Sequence, residues 1–322
     1  MTGVEGTMPR VDVLTITYNQ ERYIGQCVES VLSQKFEDWR LLIVDDGSED
    51  RTTEIIESYD DERILLIKAE HRGIEKLKES YQLLLEQSAS PLLAILDGDD
   101  WWPADKLEIE VPAFEPSSVA LAFGSVKLYN ADNEWIATVR LPAFAQGIRE
   151  GKTILDRMLN RGFFPFSVTT MVRRSALEAV GGFVQPAGLP LVDVPTWMHI
   201  LGNGHSRGLP EILGCYRVHK ESVCQSRSAA IARGQMDYNE KFIEVQRDKM
   251  GLSEGAARKY SQRIRAYHHH RRGVLDMLED NWPESRRHFK EAFREGRLPR
   301  KAKTGMRLMQ LLWRMFRKRG RA

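Results

Sequence analysis

Residues 11–19 read Val11-Asp12-Val13-Leu14-Thr15-Ile16-Thr17-Tyr18-Asn19. This short apolar run ends on polar residues and is followed by helical spacing at Ile24, Cys27, Val28, Val31 and Leu32, which predicts a strand feeding a helix. The unit then repeats. Leu41–Val44 ends in Asp45-Asp46-Gly47-Ser48 before a helical stretch at Thr52–Ser58, Ile64–Ile67 follows, and Leu92–Leu96 ends in Asp97-Gly98-Asp99-Asp100. Short apolar strands alternating with helices predict an α/β protein, with a mostly parallel sheet flanked by helices. Ligands of such sheets sit at the carboxyl ends of the strands, where this sequence gathers its acidic residues.

Further along, Val119–Phe123 and Ser167–Val172 read as strands and Ser175–Val180 as a helix, followed by the turn Gly181-Gly182-Phe183. Beyond about Ser226 the chain turns polar and helical, with a helical pair over 267–297 broken at Asn281-Trp282-Pro283 and a last helix over 300–321. The expected organisation is one α/β domain in two halves, 1–105 and 106–225, followed by a helical, basic extension at 226–322. One helical hairpin without a second copy does not make a repeat array.

The 322 residues are 42% hydrophobic and carry a formal charge of +2. That total conceals a split: the stretch 286–322 has fourteen Lys/Arg against two acidic residues, a net of +12, which leaves −10 on the rest. No run approaches the roughly 18 apolar residues of a membrane span, and the start lacks a signal-peptide pattern. The expected location is cytoplasmic, peripheral at the inner face of a membrane if the basic tail meets anionic lipid. In the last helix Arg300, Lys303, Arg307, Arg314, Lys318 and Arg321 share one sector, with Met306, Leu308, Leu312, Trp313 and Phe316 opposite. That pattern serves an interfacial helix, or equally a helix packed on the body or on a second subunit as a homo-oligomer contact. Cys27, Cys215 and Cys224 have no metal-ligand spacing and read as idle thiols. His268-His269-His270 cannot chelate one ion together, because consecutive helical residues point apart, and they read as a solvated helix. Nothing in the pattern points to nucleic acid as a partner.

Three carboxylates as close as Asp97, Asp99 and Asp100 need a cation, and Mg²⁺ or Mn²⁺ bridged to substrate phosphates would supply it. The ordered strings at 11–19, 44–48 and 96–100, with Gly181-Gly182-Phe183 and Tyr216-Arg217-Val218-His219 after them, resemble the signatures of the family 2 inverting glycosyltransferases of GT-A fold. The resemblance covers roughly residues 9 to 225. It implies transfer of one sugar from a nucleotide diphosphate sugar, a UDP-sugar by preference, to the hydroxyl of a carbohydrate or lipid-linked acceptor.

It also implies roles. Thr17, Tyr18 and Asn19 would meet the nucleotide, with the Tyr18 ring as a stacking surface. Asp46 would accept a hydrogen bond from an imide N–H of the base, while Asp45 either joins it or only shapes the loop. Asp99 would hold ribose hydroxyls or the metal, Asp100 the metal, and Asp97 the donor or the orientation of its neighbours. Arg217 would face the leaving diphosphate and His219 would complete the metal shell or serve structure. Asp193, in Val192-Asp193-Val194-Pro195-Thr196-Trp197, matches the base that takes the acceptor proton, although Val192 replaces the Glu usual before it. A helix cap is the other reading of Asp193. Arg72, Lys76 and Lys78 are candidates for a phosphate-side cation.

Processive synthases of this fold carry transmembrane helices and a Gln-x-x-Arg-Trp motif, both missing here. The absence of G-x-G-x-x-G after the first strand disfavours a dehydrogenase. A catalytically silent nucleotide-binding or interaction module of the same fold is the alternative.

Overall fold

The computed structural model describes residues 10–223, 228–248, 252–278 and 280–295. Cys224 and the basic helix expected at 300–321 lie outside the described residues. In chain order the elements are β1 (Val11–Thr17), α1 (Ile24–Leu32), β2 (Trp39–Asp45), α2 (Thr52–Glu57), β3 (Ile64–Lys68), α3 (Leu77–Gln87), β4 (Leu92–Ile95) and α4 (Lys106–Glu110). They continue with β5 (Val119–Asn130), β6 (Trp135–Val139), β7 (Gly147–Glu150), α5 (Gly151–Arg161), β8 (Met171–Arg173), α6 (Arg174–Glu178), α7 (Asp193–Leu201) and β9 (His205–Val218). Three longer helices follow: α8 (Ser228–Gln246), α9 (Glu254–Leu278) and α10 (Trp282–Glu295).

The chain divides into two compact units, one running to Met158 and from Phe163 to Ser228, the other comprising Leu159–Gly162 and the chain from Ala229 onward. In the first unit the nine strands form one sheet in the order β3-β2-β1-β4-β8-β5-β9-β7, with β6 paired to β5. The β3-β2-β1-β4 half is parallel throughout. In the other half β8 runs antiparallel to both β4 and β5, whereas β9 is parallel to β5.

The parallel half follows from composition. Strands β1, β2 and β4 are buried on both faces, which is why they read as continuous apolar runs. Helix α1 buries Ile24, Cys27, Val28 and Val31, spaced so that one stripe meets the sheet. Register sets the site: Thr17 lies beside Asp45 across β1 and β2, and Gly98 N–H donates to Ile16 O just past β4. Three strand ends therefore finish level, each on polar residues.

Asp12 is the exception inside β1. Its fully buried carboxylate accepts from Arg40 Nε (3.1 Å), Ser88 Oγ (2.6 Å) and the backbone N–H groups of Ala89 and Ser90 (2.9 Å each). Burial alone would push its pKa up, but the bonds from Arg40, Ser88 and Ser90 outweigh it, and the carboxyl sits below its usual value. The link clamps β1 to β2 and to the turn before β4. We predict that Asp12→Ala lowers unfolding free energy by about 3 kcal/mol in urea denaturation, because the buried Ser90 N–H and the partly buried Arg40 guanidinium lose their acceptor. Because the folded-state pKa is lowered, this stabilisation is present above about pH 4 and is lost as pH falls through the folded value.

Candidate active site

At the ends of β1 and β2, two loops and the segment after β3 brace one another. Asp45 is buried and takes both the N–H (3.0 Å) and the hydroxyl of Ser48, so it shapes its own loop. Asn19 adopts a left-handed φ of 50° and accepts from Glu49 N–H (2.8 Å), while its own N–H donates to Ser48 Oγ (2.9 Å). Thr17 is buried and donates to Gln20 Oε1 at 2.8 Å. Asp46 is 6% exposed and accepts from Arg72 N–H (3.1 Å) and Gly73 N–H (2.9 Å). Gly47 has φ 76°, and a Cβ there would come within 2.7 Å of His71 N, so only glycine lets this loop pass that close.

Tyr18 is exposed, but one face of its ring already carries His71, with centroids 4.2 Å apart. Sequence reasoning missed His71. Its signal was position, one residue before Arg72-Gly73 past the end of an apolar strand, yet a lone histidine in a polar loop does not stand out. Of the basic candidates nearby, Arg72 lies 3.9 Å and Lys76 3.8 Å from Glu79, and the backbone N–H of Lys78 donates to Gln185.

The acidic loop after β4 is held tightly. A Cβ on Gly98 would meet Gln20 Oε1 at 2.3 Å and Thr17 at 2.9 Å, so the loop lies directly on the end of β1. Trp101 pairs backbone to backbone with Cys215 of β9, and Trp102 Nε1 donates to Val168 O at 2.8 Å. Burial, reinforced by Asp99 and Asp193, raises the Asp97 pKa to about 8. Burial, with Asp99 and Asp97, also pushes Asp100 well above the usual carboxylate range despite Arg217. Asp100 Oδ1 accepts from Arg217 N–H at 2.8 Å, but its Oδ2 is buried with no hydrogen-bond partner. Three crowded carboxylates with one unpaired, buried oxygen suit a hard divalent cation.

Arg217 is bonded to the acidic loop. It is 1% exposed, its guanidinium stands over the rings of Tyr23 (4.5 Å) and Trp101 (4.6 Å), and it donates to Asp99 O, Gln26 and Asn133. It therefore secures the acidic loop, with its donors taken up by Asp99 O, Gln26 and Asn133. His219 is 8% exposed and lies between two carboxylates, with Nε2 2.8 Å from Asp99 Oδ2 and Nδ1 3.0 Å from Glu221 Oε2. The bond to Asp99 raises its pKa against the opposing effect of burial. Gln26 and Asn133, two further residues that sequence reading passed over, exist in this arrangement only as partners of Arg217.

Asp193 is the first residue of α7. Its Oδ2 accepts from Ser167 Oγ at 2.7 Å, and burial raises its pKa. Its charge reaches Asp97, so the carboxyl lies in the electrostatic range of the acidic loop although 96 residues separate the two in sequence. The turn before it is anchored by Phe183, which stacks on Tyr81 of α3 at 4.2 Å, and by Gln185, which donates to Ile74 O.

The described geometry thus gathers a rim of mutually braced loops, a crowded carboxylate cluster and a separate, partly buried carboxyl. Comparison with known proteins agrees. The family model "Glycosyl transferase family 2" matches residues 12–181. TuaG of Bacillus subtilis (strain 168), which carries the name of a teichuronic acid biosynthesis glycosyltransferase, is 30% identical over 235 residues, 72% of this chain and 88% of that protein. WfgD of Escherichia coli, a UDP-Glc:alpha-D-GlcNAc-diphosphoundecaprenol beta-1,3-glucosyltransferase by name, is 28% identical over 165 residues, 48% of this chain and 64% of its own length. Among solved structures, S. aureus TarS 1-349 in complex with UDP-GlcNAc superposes with a TM-score of 0.63 at 16% identity, covering 92% of this chain and 83% of that one. The mannosyltransferase PcManGT from Pyrobaculum calidifontis, in complex with GDP-Man and Mn²⁺, gives 0.58 at 20% identity over 97% and 83%. These two structures share the GT-A fold, and by its motifs and its relatives the chain belongs to glycosyl transferase family 2 and is a glycosyltransferase.

Proposed function

We propose that this glycosyltransferase is inverting, divalent-metal-dependent and non-processive, and moves one sugar from a UDP-sugar to a hydroxyl of a lipid-linked or surface-glycan acceptor. The observation that carries the reading is the acidic loop, in which Asp100 keeps a buried oxygen without a partner while Asp193 adds charge from the other half of the sheet. Asp99 and Asp100 would hold Mg²⁺ or Mn²⁺, with His219 beside them. When bound, the ion neutralises charge developing on the leaving diphosphate. Tyr18 and His71 would border the base and Asp46 would accept its imide N–H, because a carboxylate oxygen already bonded to one N–H still has a lone pair. The name of WfgD and the TarS complex support a UDP-sugar and, for WfgD, a diphosphoundecaprenol-linked acceptor.

Inversion needs a base on the face of the sugar opposite the diphosphate. The acceptor oxygen would bond to the anomeric carbon as the bond to the diphosphate breaks, and the acceptor proton would pass to Asp193. Ser167, donating to Asp193 Oδ2, keeps the carboxylate oriented. Asp193→Asn preserves shape and removes the base. We expect it to lower kcat by about 100-fold or more with donor affinity nearly unchanged in calorimetry, and near-normal turnover would refute the assignment. Since burial raises its pKa and only the ionised form accepts a proton, kcat/KM should fall as pH drops through a value above that of an exposed aspartate. A pH–rate profile reads this limb.

Metal dependence has its own test. Without metal, Asp100→Asn should leave thermal stability equal or higher, because one of the crowded carboxylates is gone, while the rise in Tm given to wild type by Mn²⁺ with UDP should disappear. A rise in Tm equal to wild type in that variant would move the metal elsewhere.

A basic tail with an apolar opposite face supports placement at the inner, anionic surface of a membrane, where a lipid-linked acceptor would lie. Among the described residues no helix is long and apolar enough to cross a membrane. The full-length chain should sediment with anionic but not neutral vesicles, and a chain ending at Leu298 should stay in the supernatant. Indifference to anionic vesicles at low salt would make the tail a packing or homo-oligomer element instead.

A further inference from the structure

Outside the acidic loop, the second unit brings three ligand-type side chains together. His269 stands on α9, and His288 and Glu291 stand three residues apart on α10, hence on one face. His269 Nδ1 is 3.1 Å from His288 Nδ1 and 3.1 Å from Glu291 Oε2, and His288 Nδ1 is 3.3 Å from the same oxygen. The two imidazole rings lie nearly parallel, 5.4 Å apart. His268 and His270, their neighbours in sequence, turn elsewhere: His268 is buried against Asn239, and His270 packs edge-on against Phe289. The solvated stretch expected for these histidines is therefore corrected, because the helix buries one and packs another, although the three do point apart.

Hydrogen bonding alone accounts for the cluster poorly. Two Nδ1 atoms that face each other cannot both carry a proton, so one imidazole must be held as the Nε2–H tautomer. For His288 that proton would sit on Nε2, which is buried without a hydrogen-bond partner, and so is Asp276 Oδ2, 3.7 Å away on α9. A metal ion at the two Nδ1 atoms resolves the clash between them. It fixes both rings as Nε2–H and leaves Asp276 Oδ2, 3.7 Å from His288 Nε2, as the carboxylate behind that ring, an arrangement common at metal sites. Spacing agrees as well. A tetrahedral ion with ligand bonds of about 2.0–2.1 Å needs ligand atoms roughly 3.3 Å apart.

We propose that His269 Nδ1, His288 Nδ1 and Glu291 Oε2 bind a zinc-class divalent ion that pins α9 to α10, with a fourth position left for water. Two imidazoles and a carboxylate suit zinc, whereas an all-oxygen cluster such as the acidic loop suits Mg²⁺ or Mn²⁺. Glu291, about a third exposed, gives the ion a way in.

The test uses the full-length chain, stripped with chelator, dialysed, and titrated with Zn²⁺ in excess Mg²⁺ to occupy the acidic loop. About one equivalent of Zn²⁺ per chain should be retained, read by elemental mass spectrometry, with a rise in Tm. His269→Gln and Glu291→Gln should each weaken Zn²⁺ binding by at least about 100-fold, and Asp276→Asn by about 10- to 100-fold. Asp100→Asn should leave it intact. Because His288 is buried in the hairpin, the partly exposed Glu291 carries the decisive substitution, with circular dichroism as the check on folding. No retained Zn²⁺, retention that survives both His269→Gln and Glu291→Gln, or loss in Asp100→Asn would each overturn the proposal.

Discussion

The organising constraint of the first unit is the crowding of Asp97, Asp99 and Asp100 at the end of β4. Like charges that close, with Asp100 almost fully buried, cannot all stay ionised without compensation, and two of the three have raised pKa values. The protein supplies partial relief. Arg217 N–H binds Asp100, its side chain binds the Asp99 carbonyl, and His219 lies against the Asp99 carboxylate. All of that relief comes from β9 and the residue after it. The longest strand of the sheet, His205–Val218, delivers it by pairing along almost the whole length of β5. The topology of the second half of the sheet thus serves what the first half needs: β9, separated from β4 by β8 and β5, ends where its cations reach the loop that follows β4.

The first half was legible because both of its determinants are local. A strand buried on both faces must be a continuous apolar run, and a strand-end loop must be polar, so β1, β2 and β4 and their acidic termini could be read off residue types. The second half was less so. Strand β5 runs from Val119 to Asn130, well beyond Val119–Phe123: Gly124 and Ser125 interrupt the apolar run although they are buried, and Lys127–Asn130 are half-exposed. Its partner β9 carries Gly208, Pro210 and Gly214, which break any apolar pattern. Those glycines answer tertiary demands: a Cβ on Gly208 would come within 1.8 Å of Ala145 O, and one on Gly214 within 2.9 Å of Val168. Ser167–Val172, read as one strand, begins instead as a short turn of 3-10 helix because Thr169 and Thr170 bond back to Phe166 O.

The site divides along the same line. Asp45, Asp46, Asp99, Asp100 and Asp193 were visible because a carboxylate at a strand or helix terminus is conspicuous. Arg217 was visible as a residue but not as a direction. Its guanidinium is committed to Tyr23, Trp101, Gln26 and Asn133, partners that no local pattern marks. His71 was not visible at all, since its stacking on Tyr18 joins residues 53 positions apart.

The departure at Val192 has a physical reason in the same charge balance. Residue 192 is 1% exposed, and its carbonyl accepts from both the Thr196 hydroxyl (2.6 Å) and the Thr196 N–H (3.1 Å) at the start of α7. A glutamate there would have to bury a carboxylate in a region that already holds Asp97 and Asp193, where each added negative charge disfavours ionisation of the others. With valine in place, the raised pKa of Asp193 is due to burial, and hydrogen bonds from Ser167 and the first turn of α7 oppose it. A proton acceptor has to be ionised before the acceptor hydroxyl arrives and must still favour the proton once bond formation begins. A carboxyl that is partly desolvated but hydrogen-bonded meets both conditions, and a second acidic residue beside it would favour only the latter.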